Sequence, residues 1–324
     1  MNQTEVLNIM DKTETTEALN ILKSFEEKLD KDSGRTQKPR RKGITMSLIM
    51  DVVSYGPKFF EPFQGLVDRI KLLDTMWHHD PRVVIEAIAG YRAMNMDVAM
   101  GGTQFEIAKA QGGLKKYIKL MKSIGVNEVE VENHASGATL AEMQDEVKML
   151  KDEGFIVVGE VGKKWWWKDP TRVSRDLVSV ERTTEQALGL IEAGADFLYW
   201  EGMIVRALIG PQLENIEGQQ QLREVAKAID PTKLILELWD DRGQSNHPLI
   251  AWLVKEFGPN VNLANIMPPD VKWVEWIRHG IIFEMDHPYM RWSADPSQAP
   301  NWWQIDSPDY NVDMQRGYVL KPAY

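Results

Sequence analysis

The sequence predicts an α/β protein built on a (β/α)8 TIM-type barrel, with an N-terminal helix and an irregular aromatic C-terminal arm. Two observations carry that prediction. Four short apolar runs each stop on a glutamate: Val129-Glu130-Val131-Glu132, Ile156 to Glu160, Phe197 to Glu201 and Leu234 to Glu237. Runs of this length, rich in Val, Ile, Leu and aromatic residues, read as buried parallel strands rather than helices. Each is followed by a loop and a helix-like stretch, and four more strand candidates alternate with helices in the same way, more than a doubly wound sheet usually needs. In a barrel the C-terminal strand ends converge on the face that holds the active site. The glutamates therefore predict an enzyme with a carboxylate-lined pocket.

The elements follow in chain order. From Glu14 to Asp30 the apolar positions Ala18, Leu19, Leu22, Phe25 and Leu29 have helical spacing, which predicts an amphipathic helix. Lys31 to Lys42 is polar and contains Gly and Pro, so residues 1–42 read as a helix and a linker. The barrel is assigned to residues 43–287. Its first strand is Ile44 to Met50, the second Ile70 to Asp74, the third Asp97 to Met100, and the eighth Val261 to Ile266, with the glutamate-ended runs as strands four to seven. Helical segments fit between them at Leu114 to Ile124, Leu140 to Glu153, Thr183 to Ala193 and His247 to Phe257. The stretch from Asp286 on carries Trp292, Trp302, Trp303, Tyr310, Tyr318 and Tyr324 among several prolines, and residues 288–324 read as an arm. Such an arm needs a surface to bury against, on its own barrel or a neighbour's, or it closes the pocket as a lid.

Composition narrows the class. A length of 324 residues suits one barrel with extensions. The net charge of −10, with Lys38 to Lys42 as the one short basic cluster, argues against a nucleic-acid partner. There is no cysteine, which excludes disulfides, thiolate metal sites and a cysteine nucleophile, and fits a cytoplasmic setting. Met1 to Lys38 is polar and acid-rich, so neither a leader nor a membrane partner is expected. The expected partner is a small-molecule substrate, and a homo-oligomer is expected.

Several segments then become familiar. Gly43-Ile44-Thr45-Met46, Gly101-Gly102-Thr103-Gln104-Phe105-Glu106, Gly154-Phe155 through Glu160-Val161-Gly162-Lys163-Lys164, Glu192-Ala193-Gly194-Ala195-Asp196 and Val261 to Ile266 resemble the phosphosulfolactate synthase family, in its order and near its spacing, over about residues 40 to 287. The resemblance implies a (β/α)8-like barrel, a magnesium requirement and addition of sulfite to phosphoenolpyruvate. It places Lys164 on the lysine that handles the proton at the enolate carbon, and Glu160, Glu201 and Glu237 on strand-end glutamates. Other positions depart. The family's Asp-Lys-Gly after strand one is Ile49-Met50-Asp51, the lysine ending strand two falls on Asp74, Arg-Glu-Ser-Gly after strand six is Met203-Ile204-Val205-Arg206, and an arginine near the end of the barrel falls on Ile282. Asp74, His78, His79, Glu132, His134 and several tryptophans stand instead. Fewer basic side chains predict weaker phosphate and sulfite sites, and poor turnover of that substrate pair.

The candidate site follows. Glu160, Lys163 and Lys164 are the expected catalytic residues, the lysines because apolar surroundings such as Trp165-Trp166-Trp167 can lower a lysine pKa into the range useful for proton transfer. Glu132, Glu160, Glu201, Glu237 and His134 are the expected metal ligands, because clustered carboxylates repel unless a cation or shared proton relieves them. Oxygen donors suit Mg²⁺ or another divalent ion, and histidines at the same point shift the preference toward Zn²⁺ or Fe²⁺. A strand-end glutamate can also simply cap the next helix or pair with a rim lysine. Gly101, Gly102, Thr103, Trp77, Arg206 and Asn265 are the expected substrate contacts, the glycines because they let backbone amides approach an anion. The functional expectation is a metal-dependent lyase acting across a carbon–carbon double bond or enolate of a small carboxylic acid. The alternatives are a hydratase, decarboxylase or hydrolase for a less anionic, aromatic substrate, and a non-catalytic barrel acting as an interaction protein.

Overall fold

A computed structural model describes residues 34–73, 78–134, 136–162, 179–210, 213–238 and 246–280, the backbone of 281–284 and 287–291, and individual positions between 16 and 33. Eight parallel strands close in sequence order into a barrel. They are β1 (Thr45–Ile49), β2 (Arg69–Leu72), β3 (Asp97–Met100), β4 (Glu128–Val131), β5 (Ile156–Val161), β6 (Phe197–Trp200), β7 (Leu234–Glu237) and β8 (Asn262–Ile266). The helices are α1 (Pro57–Phe60), α2 (Pro81–Ala93), α3 (Gly102–Ala110), α4 (Leu114–Ile124), α5 (Leu140–Asp152), α6 (Val180–Glu192), α7 (Gly202–Ile209), α8 (Ile216–Ala228), α9 (His247–Phe257) and α10 (Val271–Arg278). The strands fall within a residue or two of the predicted ones, with Glu132 and Glu201 just past their ends.

Period-two alternation sorts the strand residues. Outward positions such as Ile70, Val98, Val129, Val157, Leu198, Leu236 and Leu263 join helix residues such as Leu150, Leu190 and Leu222 in one continuous apolar shell. Each such side chain contributes about 1.5–3 kcal/mol by leaving water. Inward positions are divided. Ile44, Met46, Val158, Tyr199, Ile235 and Ala264 form a separate apolar cluster inside the barrel. Arg69, Lys71, Glu128, Glu130 and Glu160 occupy the other inward places.

Helix starts are fixed locally. Thr139 and Glu142 make a reciprocal capping box on α5, while Asp80, Ser179 and Asn215 cap α2, α6 and α8 through their side chains. The N-terminal end of the barrel is closed by long-range polar contacts. Arg278 on α10 donates to the carbonyls of Pro259 (2.6 Å), Val261 (2.7 Å) and Ile44 (3.2 Å). Arg35 grips Glu275 with two bonds of 2.7 and 3.1 Å, and Asp30 meets His279 at 2.6 Å.

Two regions differ from the sequence expectation. Described positions are helical as far as Ser33, and the polar stretch after it packs on the barrel: Lys38 donates to the carbonyls of Val67 (2.7 Å) and Met94 (3.1 Å), and Arg40 pairs with Asp68. The basic cluster thus satisfies loop carbonyls. After α10, β9 (Ile281–Glu284), within the residues assigned to the barrel, pairs antiparallel with β10 (His287–Arg291), which runs into the start of the expected irregular arm, and residues 292–324 lie outside the described residues. No helix among the described residues is long and apolar enough to cross a membrane.

Candidate active site

The upper end of the barrel is built by one residue type at equivalent positions. Glu130 on β4, Glu132 just past it, Glu160 on β5, Glu201 at the end of β6 and Glu237 on β7 are each at most 3% exposed. Glu160, Glu201 and Glu237 bring one carboxylate oxygen each within 4.8 Å of the others, and so do Glu132 and Glu160 with a ring nitrogen of His134. Lys71 on β2 reaches into this group, 2.7 Å from Glu130 Oε2 and 3.1 Å from Glu237 Oε1. Burial alone would lower its pKa, but the carboxylates of Glu130, Glu237 and Glu160 outweigh that and hold it well above an ordinary lysine. Lys71 therefore stays charged. Below it, Arg69 pairs with Glu128, which also accepts from Tyr199 Oη at 2.8 Å.

Short loops after the strands position the remaining groups. His134, in the loop between β4 and α5, places Nε2 at 2.5 Å from Glu160 Oε1 and at 3.6 Å from both Glu132 Oε2 and Glu201 Oε2. Thr103 Oγ1 donates to Glu132 Oε1 at 3.1 Å, and the Gly102 amide donates to Glu130 Oε2 at 3.1 Å. Gly102 is needed there, since a Cβ would stand 2.7 Å from Glu132 Cγ. Gly162, at φ +98°, turns the chain away from β5 in the left-handed region that side chains disfavour.

The sequence-predicted residues are distributed as follows. Glu132, Glu160, Glu201, Glu237 and His134, predicted as ligands, meet in one cluster. Glu201 also caps α7, accepting from the Met203 amide at 3.0 Å through Oε1. Of the glycine pair, the Gly101 amide donates to the backbone carbonyl of Leu72 and only that of Gly102 to a carboxylate, the chain's own Glu130. Arg206 is buried on α7 and donates to Asn246 Oδ1 at 3.2 Å, between the loops after β6 and β7. Asn265 sits at the irregularity between β1 and β8 at φ +57°, with a buried Oδ1 that no hydrogen bond reaches. Trp77, Lys163, Lys164 and Trp165 to Trp167 lie outside the described residues.

Lys71 went unnoticed in the sequence. Asp74 stood for the strand-two lysine, and Asp74 too lies outside the described residues, yet β2 carries a buried lysine three residues earlier. The alternation Arg69-Ile70-Lys71-Leu72 was the available signal, because it sends both cations to the face opposite Ile70 and Leu72.

A closed parallel barrel with ionisable side chains gathered at its C-terminal strand ends is the frame of a TIM-barrel enzyme. Comparison with known proteins identifies which kind. The family described as (2R)-phospho-3-sulfolactate synthase (ComA) matches residues 33–284. The chain is 32% identical over 233 residues to the phosphosulfolactate synthase of Methanocaldococcus jannaschii, covering 69% of this chain and 87% of that one. It is 28% identical over 249 residues to the phosphosulfolactate synthase of Methanothermobacter thermautotrophicus, covering 76% and 92%. Among solved structures, a putative phosphonomutase from Burkholderia cenocepacia J2315 is similar at 13% identity with a TM-score of 0.47, over 72% of this chain and 92% of that one. The chain belongs to the phosphosulfolactate synthase family, a family of lyase-type enzymes.

Proposed function

We propose that this protein is a divalent-metal-dependent lyase that adds a nucleophile to, or eliminates one from, the double bond of a small unsaturated carboxylic acid or enolate. The observation that carries the reading is the convergence of Glu160, Glu201 and Glu237, three buried carboxylates with oxygens within 4.8 Å of one another. This donor set fits a hard divalent ion, Mg²⁺ or Mn²⁺, and these three residues would hold it. When bound there, the ion offsets negative charge that builds on a carboxylate or enolate oxygen of the substrate.

The chain's own groups supply the rest. Lys71 holds Glu130 and Glu237 in place and offsets part of their charge. Thr103 fixes Glu132, and His134 braces Glu160. Lys164, on the chain that leaves β5 through Gly162, is proposed to move the proton at the carbon next to the carboxylate. Lys164→Ala is expected to cut turnover by about 10²–10⁴-fold with fold and ion binding intact, and Lys164→Arg not to restore it, because guanidinium does not release its proton usefully. Rates and melts of both variants check this, and a rate within about threefold of wild type removes Lys164 from the mechanism.

Phosphoenolpyruvate with sulfite is the first substrate pair to test, since the relatives are phosphosulfolactate synthases. A second reading, a hydratase, decarboxylase or hydrolase acting on a less anionic acid, is favoured by the five buried carboxylates that, among the described residues, lie around Lys71 and His134. Phosphorus and proton NMR of the substrate, with and without sulfite and with Mg²⁺ or chelator, separates them. A sulfonated product formed only with sulfite and ion supports the family reaction, and loss of substrate without sulfite supports the second. Full activity in chelator sinks both, while a protein that neither binds an ion nor turns over any such acid is an interaction protein.

A further inference from the structure

The side of the barrel that carries α2 and α4 takes no part in the strand-end site. We infer that the groove between these two helices is the docking site of the chain's own C-terminal arm, residues 292–324. In that arrangement the arm's tryptophans enter the groove and its aspartates face the lysines of α4.

The groove is apolar at its floor and basic at its edge. It encloses about 610 Å³ and is lined by Ile85 and Ala89 of α2, Ile124 of α4, and Val126 and Phe155 beneath them, with Arg92 and Lys122 at the rim. Ile85, Ala89 and Arg92 are spaced four and three residues apart, so α2 turns one stripe toward the groove. Leu120, one turn before Ile124, continues the apolar edge along α4. Ile85 and Leu120 are each 43% exposed.

Charge singles out α4 further. The chain has a net charge of −10, yet this helix holds Lys115, Lys116, Lys119 and Lys122 and no acid. Lys122 pairs with Glu153 and lies 5.6 Å from the centre of the Phe155 ring. Lys115, Lys116 and Lys119 are exposed and form no ion pair among the described residues. Like charges three and four residues apart repel along a helix, and an acidic partner removes that cost.

The arm has the complementary composition. Residues 292–313 carry Asp295, Asp306, Asp309 and Asp313 and no lysine or arginine, interleaved with Trp292, Trp302, Trp303 and Tyr310. Large apolar side chains in such number call for a covering surface, and their ring faces suit a rim that bears Arg92 and Lys122.

Length permits the contact within one molecule. β10 ends at Arg291, and β9, its partner, packs on α10. From there α10 packs on the turn of Glu61–Leu66 beside α1, α1 on α2, and α2 on α4. At about 8–10 Å between packed elements the path measures about 30–40 Å, which about 10–12 extended residues cover. Trp302 and Trp303 follow Arg291 by 11 and 12 residues (302 − 291 and 303 − 291), so they reach the groove first and Asp306, Asp309 and Asp313 come after them, toward α4. A tether that already spans the gap favours the chain's own groove over a neighbour's.

The test joins carboxylates directly to lysines in the unsubstituted full chain. An equal mixture of unlabelled and ¹⁵N-labelled protein is treated with a carbodiimide, and the new amide bonds are mapped by mass spectrometry. Links from Asp306, Asp309 or Asp313 to Lys115, Lys116 or Lys119 are expected inside single chains, and about 1 M salt, where the screening length is about 3 Å, should reduce them. The chain has no cysteine, so a designed pair reads the same contact a second way. Gln304→Cys with Ser123→Cys should close an intramolecular disulfide about tenfold faster than Gln304→Cys with Lys227→Cys on α8, since docking raises the local concentration of one thiol at the other. Adding Lys115→Glu, Lys116→Glu and Lys119→Glu should slow that closure about threefold or more. Links from these aspartates to lysines on other faces, or equal closure by the two cysteine pairs, overturn the inference. Links found only between labelled and unlabelled chains also overturn it and make the groove a contact between two copies.

Discussion

At the N-terminal end of the barrel, Arg278 spends its donors on the carbonyls of Pro259, Val261 and Ile44, and Arg35 faces Glu275 across two hydrogen bonds. At the C-terminal end, five buried carboxylates crowd around Lys71 and His134. Both ends bury charge, but at the first Arg35 meets Glu275 one to one and Arg278 donates to three carbonyls, whereas among the described residues of the second five carboxylates lie around Lys71 and His134. The contrast assigns roles: satisfied buried charge closes and holds a structure, while a surplus of one sign in a dry interior is a stability cost that a bound cation or a reaction must justify. Barrels in general separate stability at one end from chemistry at the other.

The largest expected effects test that division directly. Arg278→Met should cost about 3–5 kcal/mol in chemical unfolding, because it strips three carbonyls of their donor, and no divalent ion should restore it. Lys71→Met removes a partner of Glu130 and Glu237 and should cost a similar amount in chelator, about 3–5 kcal/mol. Here added Mn²⁺ should recover much of the loss, since an ion can replace the missing positive charge. Equal responses of the two variants to Mn²⁺ would erase the distinction between the ends.

How far each end could be read from the sequence differs for a physical reason. Strand-end glutamates are local signals, because a run such as Phe197 to Glu201 fixes both the strand and the place where it stops. Alternation along Glu128-Val129-Glu130-Val131 likewise places successive acids on one face, which is how Glu130 and Glu132 come to share the barrel interior. The closure of the other end is written in pairs far apart in the chain, such as Arg35 with Glu275, and no local pattern announces them. Lys38 to Lys42 looked like a solvated linker because its acceptors are backbone carbonyls, to which composition is blind. The ribbon of β9 and β10 was hidden by Pro288, a residue that seldom enters a strand away from a sheet edge.

A smaller effect is expected at Gly102. Alanine there puts a Cβ within 2.7 Å of Glu132 Cγ, so Glu132 must shift. The expected cost is about 1–3 kcal/mol of overpacking, with weaker ion binding if Glu132 takes part in the proposed site. Calorimetric ion titration of the variant checks it, and wild-type binding would mean that Glu132 takes no part.

The smallest effect concerns the rim beyond β1. Hydrogen bonds from Ser54, His79 and the Val53 amide hold the Asp51 carboxyl at about 2, below its ordinary 3.8. Its folded value is depressed, so its contribution is complete above the ordinary value and fades as pH falls toward 2. Carboxyl NMR titration should find that low midpoint in wild type and a higher one in Ser54→Ala. A midpoint near 3.8 in wild type would mean that the loop does not hold Asp51.

The central claim is that the carboxylate cluster exists to hold a cation, and the direct measurement is unfolding of wild type and Glu160→Gln with and without a divalent ion. Wild type with Mn²⁺ at about 100 times its dissociation constant should gain about 2.7 kcal/mol. Glu160→Gln should gain little from the ion, and in chelator it should be at least as stable as wild type because one repelling charge is gone. A wild type indifferent to the ion, together with a Glu160→Gln variant that is less stable in chelator, would contradict the account and make the cluster part of the scaffold.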